Sequence, residues 1–173
     1  TSHAYRIRST APIVVYQFNN FVNDFSTDAS LLLPAPALGT VHRVIGYPTA
    51  NPIEIMIPGA PNLQGIPDFS SVTVVAKEDN TVVSVVPGTK TRPDGAGIPA
   101  AGPGQAVTEI EVTLNAFDVL NVSSDGIPGD MTGTIVNSSK GVAVFTSLER
   151  GIGPAVTDPP EPPDYVPDDL CCT

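Results

Sequence analysis

The feature that most constrains this chain is a succession of short, mostly Val- and Ile-rich runs separated by polar, Gly- or Pro-containing stretches. Ile13 to Phe18, Val41 to Tyr47, Val72 to Ala76, Thr81 to Val86, Glu109 to Leu114, Phe117 to Val122, Thr132 to Val136 and Val142 to Phe145 all fit this description. Branching at Cβ suits these residues to a pleated surface and makes them poor helix formers. Glu109-Ile110-Glu111-Val112-Thr113-Leu114 alternates strictly, which is the pattern of a strand with one wet face. No stretch holds a 3.6-residue apolar period for three turns. All 19 Pro and most of the 15 Gly fall between the runs. The reading is an all-β fold, an antiparallel β-sandwich that could be one unit of a repeat array, with a propeller-like arrangement as the alternative.

Further short strands are expected at Ala4 to Arg8, Ser30 to Leu33 and Ile53 to Ile57. Val72–Ala76 and Thr81–Val86, joined by Lys77-Glu78-Asp79-Asn80, read as the best hairpin. Thr132–Val136 and Val142–Phe145, joined by Ser138-Ser139-Lys140-Gly141, read as a last one. Pro87 to Pro103 is a Gly/Pro-rich loop with a Pro93-Asp94-Gly95 turn. Pro154 to Asp169 is acidic and Pro-rich, so it should be extended and exposed. These features divide the chain into a strand hairpin at 1–20 that closes a preceding unit or edges the sandwich, a main sandwich unit at 21–150, and a Pro-rich acidic tail or loop at 151–173. The opening Thr1-Ser2-His3 suggests a mature or trimmed product of a larger protein. A weak echo joins Arg8–Tyr16 to Asn137–Phe145, each a polar turn leading into an apolar strand that ends on an aromatic ring. A second echo joins Asp28–Pro34 to Asn80–Pro87.

The balance of charge narrows the partners. With 18 Asp and Glu against 8 Lys and Arg, the formal net charge is −10. Phosphate contacts need clustered Lys and Arg, so nucleic acid is not an expected partner, nor is an anionic membrane surface. No apolar run is long enough for a transmembrane helix, so membrane insertion is not expected. Cys171 and Cys172 are adjacent, and each either pairs with a cysteine elsewhere or stays reduced.

Residues for catalysis are scarce. The two histidines are His3, at the start of the chain, and His42, within a strand, and neither belongs to a credible nucleophile–base arrangement. The carboxylates are many, but nothing in the sequence sets two of them across a cleft as a glycosidase requires. Calcium is the one cofactor the chain could take, through Asp125-Gly126-Ile127-Pro128-Gly129-Asp130, although this loop does not match EF-hand spacing. A turn built on Asp and Gly is the plainer account of the same residues. The binding candidates are aromatic: Tyr16, Phe18, Phe21 and Phe25 fall within ten residues, and Tyr16 and Phe18 share a strand face. Core packing is the ordinary role for such rings, and a hydrophobic patch that meets another unit is the alternative.

These segments, in order, resemble the N-terminal domain of the IgGFc-binding protein family. The resemblance is carried by Tyr5–Phe18, Asp28–Pro34 with Leu38-Gly39-Thr40, Val72–Val86, Leu114–Leu120, and Met131–Val136 through Val142–Phe145. It implies an extracellular or cell-surface location and a non-catalytic binding, adhesion or structural-assembly role within a larger secreted protein. The partners it implies are proteins, copies of the same chain, or mucus-like glycoproteins. The family pattern carries a Cys soon after the last strand; here Thr146 to Arg150 has none, and Cys171-Cys172 match only a later position. A hydrolase acting on extracellular glycans or peptides is the competing function class.

Overall fold

The computed structural model describes residues 4–18, 29–49, 54–55, 63–64, 68–95 and 97–149. Its body is an antiparallel β-sandwich. One sheet has four strands, β3 (Val41–Arg43), β10 (Ile135–Ser138), β7 (Thr81–Val86) and β8 (Ile110–Leu114), in that spatial order. The other has three, β11 (Val142–Leu148), β6 (Ser70–Ala76) and β9 (Val119–Ser123). Two small antiparallel pairs stand apart from these sheets: β1 (Tyr16–Phe18) with β2 (Ala29–Leu31), and β4 (Glu54–Ile55) with β5 (Leu63–Gln64). The only helical turn among the described residues is a 3-10 turn at Ala35–Ala37, which begins straight after Pro34.

Period two decides what each sheet buries. Val72, Val74 and Ala76 of β6 point inward with Leu120 and Val122 of β9. They join Val83 and Val85 of β7, Ile110 and Leu114 of β8, and Val136 of β10 in one continuous core. Both sheets contribute to that core, so neither could keep its apolar face dry alone. The outer face of the three-stranded sheet carries a run of polar side chains. Asn121 Nδ2 donates to Thr73 Oγ1 at 2.8 Å, the Ser123 hydroxyl donates to Asn121 Oδ1 at 3.2 Å, and the Ser71 and Ser147 hydroxyls are 2.6 Å apart.

The two expected hairpins are not hairpins. β6 and β7 lie in different sheets, and so do β10 and β11. Each short polar turn carries the chain over the edge of the sandwich from one sheet to the other, as the 115–118 turn does between β8 and β9. The three corners gather at one end of the sandwich, where Asp79 ties them together. Asp79 Oδ1 accepts the Ala116 N–H at 2.9 Å, and its backbone carbonyl accepts from Lys140 Nζ at 2.5 Å. Asn80 takes a left-handed φ of 54° in the first corner, a conformation Asn tolerates, and Thr81 Oγ1 closes that turn on Glu78 O at 2.6 Å.

The long connection from β7 to β8 folds back onto the sheets. Thr91 and Ala101, both buried, exchange hydrogen bonds: Thr91 N donates to Ala101 O at 2.8 Å and Ala101 N donates to Thr91 Oγ1 at 2.9 Å. Gly102, at φ +113°, follows at once, and a Cβ there would collide with the carbonyl oxygen of Thr89. Other strands are shorter than the sequence implies. Ala4 to Arg8 forms no strand, Ile13 to Phe18 pairs only over Tyr16–Phe18, and Val41 to Tyr47 pairs only over Val41–Arg43. A strand needs a continuous ladder to be counted as one, and over the rest of their length these residues make only isolated backbone bonds, such as Val44 N to Thr134 O at 2.9 Å.

Candidate functional site

The β1–β2 pair places the aromatic candidates. Its register sets Tyr16 opposite Leu31, Gln17 opposite Ser30 and Phe18 opposite Ala29, and Leu32 N adds a bond to Val15 O at 2.9 Å. Alternation therefore puts Val14, Tyr16, Phe18, Leu31 and Leu33 on one face and the polar Gln17 and Ser30 on the other. The Tyr16 and Phe18 rings lie 6.4 Å apart between centroids, tilted by 41°. Core packing, the ordinary role for such rings, is not theirs. Tyr16 is 55% exposed, Phe18 69% and Leu31 54%, while Val14 and Leu33 are exposed as well. The reason is the missing layer: β1 and β2 pair only with each other, and no second sheet faces them among the described residues. Residues 11–18 and 29–33 contain no charged side chain, so the surface is a charge-free apolar ridge on an otherwise acidic chain. Phe21, Phe25, Cys171 and Cys172 lie outside the described residues.

The remaining candidates are placed but not assembled. Asp125 forms a salt bridge with Lys90 at 2.6 Å, and Asp130 Oδ1 accepts the Thr132 N–H at 2.8 Å. The two carboxylates of the suggested calcium loop are thus each held by a different partner. Among the described residues no three His, Cys, Asp or Glu side chains come together as a metal site. His42 is half-buried in β3, its Nε2 3.1 Å from Gly39 O. Two ring–cation contacts escaped the sequence reading. The Arg92 guanidinium lies 4.2 Å from the Phe69 ring centroid, and that of Arg6 lies 5.8 Å from the Phe117 ring. Neither pair is near in sequence, so no local pattern announces them.

Among the described residues, the structure sets an exposed apolar face on β1–β2 beside two packed sheets, and this defines the structural class: an antiparallel β-sandwich. The particular family follows from comparison with known families, in which the model described as IgGFc binding protein matches residues 28–158. The chain belongs to the IgGFc-binding protein family, a family of binding domains. The match takes in both sheets of the sandwich and β2, and it begins after β1. No curated protein and no solved structure matches the chain. No helix among the described residues is long and apolar enough to cross a membrane.

Proposed function

We propose that this chain is a non-catalytic, extracellular binding and adhesion module of a larger secreted or cell-surface protein. In this reading the β1–β2 ridge is where it meets its protein partner. One observation carries the proposal: Tyr16, Phe18 and Leu31 stand on one charge-free face and are all more than half exposed. A contiguous exposed patch of large apolar side chains costs solubility unless a partner covers it, and Tyr and Phe supply much contact area at little cost in rotamer entropy. Family membership supports a protein ligand, with immunoglobulin Fc the first to try and mucus-type glycoproteins the second.

The test is label-free binding of the 173-residue chain to immobilised Fc and, separately, to a mucin glycoprotein. The expected result is saturable binding to one of them, weakened at least about tenfold by Tyr16→Ser with Phe18→Ser, since rings at the centre of an interface carry most of its energy. No binding to either ligand, or binding indifferent to the double substitution, would overturn the assignment of the ridge.

A further inference from the structure

The N-terminal arm and the outer strand of the larger sheet have matching periods and opposite charges. Residues 4–8 read Ala-Tyr-Arg-Ile-Arg, and residues 109–113 read Glu-Ile-Glu-Val-Thr. β8 is the last strand of the four-stranded sheet and, among the described residues, pairs only with β7. The direction of its unused backbone groups can be worked out. Val82 of β7 exchanges hydrogen bonds with Ser139, on the β10 side: Ser139 N donates to Val82 O, and Val82 N donates to Ser139 Oγ. Backbone direction alternates along a strand, so Thr81, Val83 and Val85 turn toward β8, where their register partners are Leu114, Val112 and Ile110. The amides and carbonyls of Glu109, Glu111 and Thr113 therefore point outward along the open edge. Such an edge is a template for another strand. Glu109 and Glu111 discourage a second β8 from pairing there and favour a basic strand instead.

Residues 4–18 carry Arg6 and Arg8 and no carboxylate, in a chain of net charge −10. In its own chain the arm is held lightly. Ala4 N donates to Phe117 O at 2.8 Å, and Arg6 rests over the Phe117 ring. That anchor belongs to the other sheet, since Phe117 N donates to Ala76 O of β6. Tyr5 is 99% exposed and Ile7 60%, so the arm presents apolar side chains to solvent in the single copy.

We infer that residues 4–8 of one copy add, antiparallel, to the β8 edge of a second copy, with Arg6 opposite Glu111 and Arg8 opposite Glu109. Once the arm leaves its own Phe117, giving up the Ala4 N–H bond and the Arg6 ring contact, the register places Ala4, Arg6 and Arg8 against the three residues whose backbone groups point outward. It sets Tyr5 beside Val112 and Ile7 beside Ile110, on the core side of the sheet. Both charge pairs fall on the outer face, as directly opposite residues of antiparallel strands do. The contact is reciprocal, each copy giving an arm and receiving one, so two copies close a symmetric dimer. The inference deepens the protein-contact reading by naming one partner, a second copy, but is tested without any ligand. Loss of Fc or mucin binding therefore leaves it standing, and absence of dimers leaves ridge binding standing.

The experiment is the mass of the full chain in solution as a function of concentration, by light scattering and sedimentation, with circular dichroism to confirm folding. The expected result is a reversible dimer of the 17.9 kDa chain, weakened by added salt. Arg6→Glu with Arg8→Glu changes only exposed arm residues, and it should raise the dimer dissociation constant about tenfold or more. Glu109→Arg with Glu111→Arg should do the same, and the four substitutions together should restore dimerisation. Glu109 also accepts a hydrogen bond from the Ser84 hydroxyl, so the arm variant remains decisive if the β8 variant folds poorly. A chain that stays monomeric at all concentrations would overturn the inference. So would a dimer indifferent to reversal of the arm charges, or reversals on both strands that fail to rescue each other in folded protein.

Discussion

The β1–β2 pair and the sandwich are made of the same material and treat it in opposite ways. Ile13-Val14-Val15-Tyr16, which leads into β1, and Val72-Thr73-Val74-Val75 of β6 are both short and mostly β-branched. In β6 every second residue is buried completely, with Val72 and Val74 at 0% exposure. In β1 all three residues are exposed. The difference lies in what stands opposite. β6 has a strand on each side and a second sheet across the core, whereas β1 has β2 alone among the described residues. Composition therefore sets the tendency to be a strand, and the presence of a second layer decides whether that strand stabilises the fold or displays a surface. Substitutions that are costly in one region should be nearly silent in the other, and that contrast can be broken experimentally.

The largest effect is expected in the core. Ile110→Ala removes a large, almost fully buried side chain from the centre of the two-sheet contact. It should lower stability by about 3–4 kcal/mol in urea unfolding, the transfer loss plus the cavity left behind. Val14→Ala, at a residue 69% exposed, should change it by no more than about 0.5 kcal/mol. If the two costs prove equal, the hairpin is packed as a core is, and the contrast fails. Gly102→Ala comes next, at about 2–3 kcal/mol, because the new Cβ must meet the Thr89 carbonyl while the backbone holds φ at +113°. A smaller loss would mean that the β7–β8 loop can move off the sheets, and that the Thr91–Ala101 exchange does not fix it.

The corners are expected to lie between these extremes. Asp79→Ala removes the carboxylate that accepts the Ala116 N–H, while the backbone carbonyl facing Lys140 remains. The site is exposed and water can replace part of the bond, so thermal unfolding should report a loss of about 1 kcal/mol. A loss as large as that of Ile110→Ala would show that the three corners, rather than the core between the sheets, limit stability.

The strands were legible in the sequence, and the way they are connected was not. Val72 to Ala76 and Thr81 to Val86 lie almost where alternation puts them, because alternation is a property of each strand. A four-residue polar turn such as Lys77 to Asn80 serves equally to reverse the chain within a sheet or to carry it across to the next one. Its Asn at positive φ suits either. Which of the two occurs depends on residues far away: β7 is claimed by β10 and β8, and β6 by β11 and β9. The site was legible to the same depth. Period two gives the shared face of Tyr16 and Phe18, but their exposure depends on what stands opposite, which no local pattern records. The Arg6 and Phe117 contact joins residues more than a hundred positions apart, which sequence spacing could not bring together.

The smallest expected effect tests the contrast most sharply. Tyr16→Ser with Phe18→Ser should leave the unfolding midpoint in urea almost unchanged, within about 0.5 kcal/mol, because both rings are already more than half in water. Each ring loses little on truncation when few atoms pack against it, and a contact between two rings this exposed, at 6.4 Å and 41°, belongs at the low end of the about 0.5–1.5 kcal/mol that aromatic pairs contribute. The same double variant should lose partner binding. A protein that keeps its stability and loses its ligand has spent those two rings on contact. A protein that loses stability instead has the hairpin folded into its core, and the ridge would then be structural.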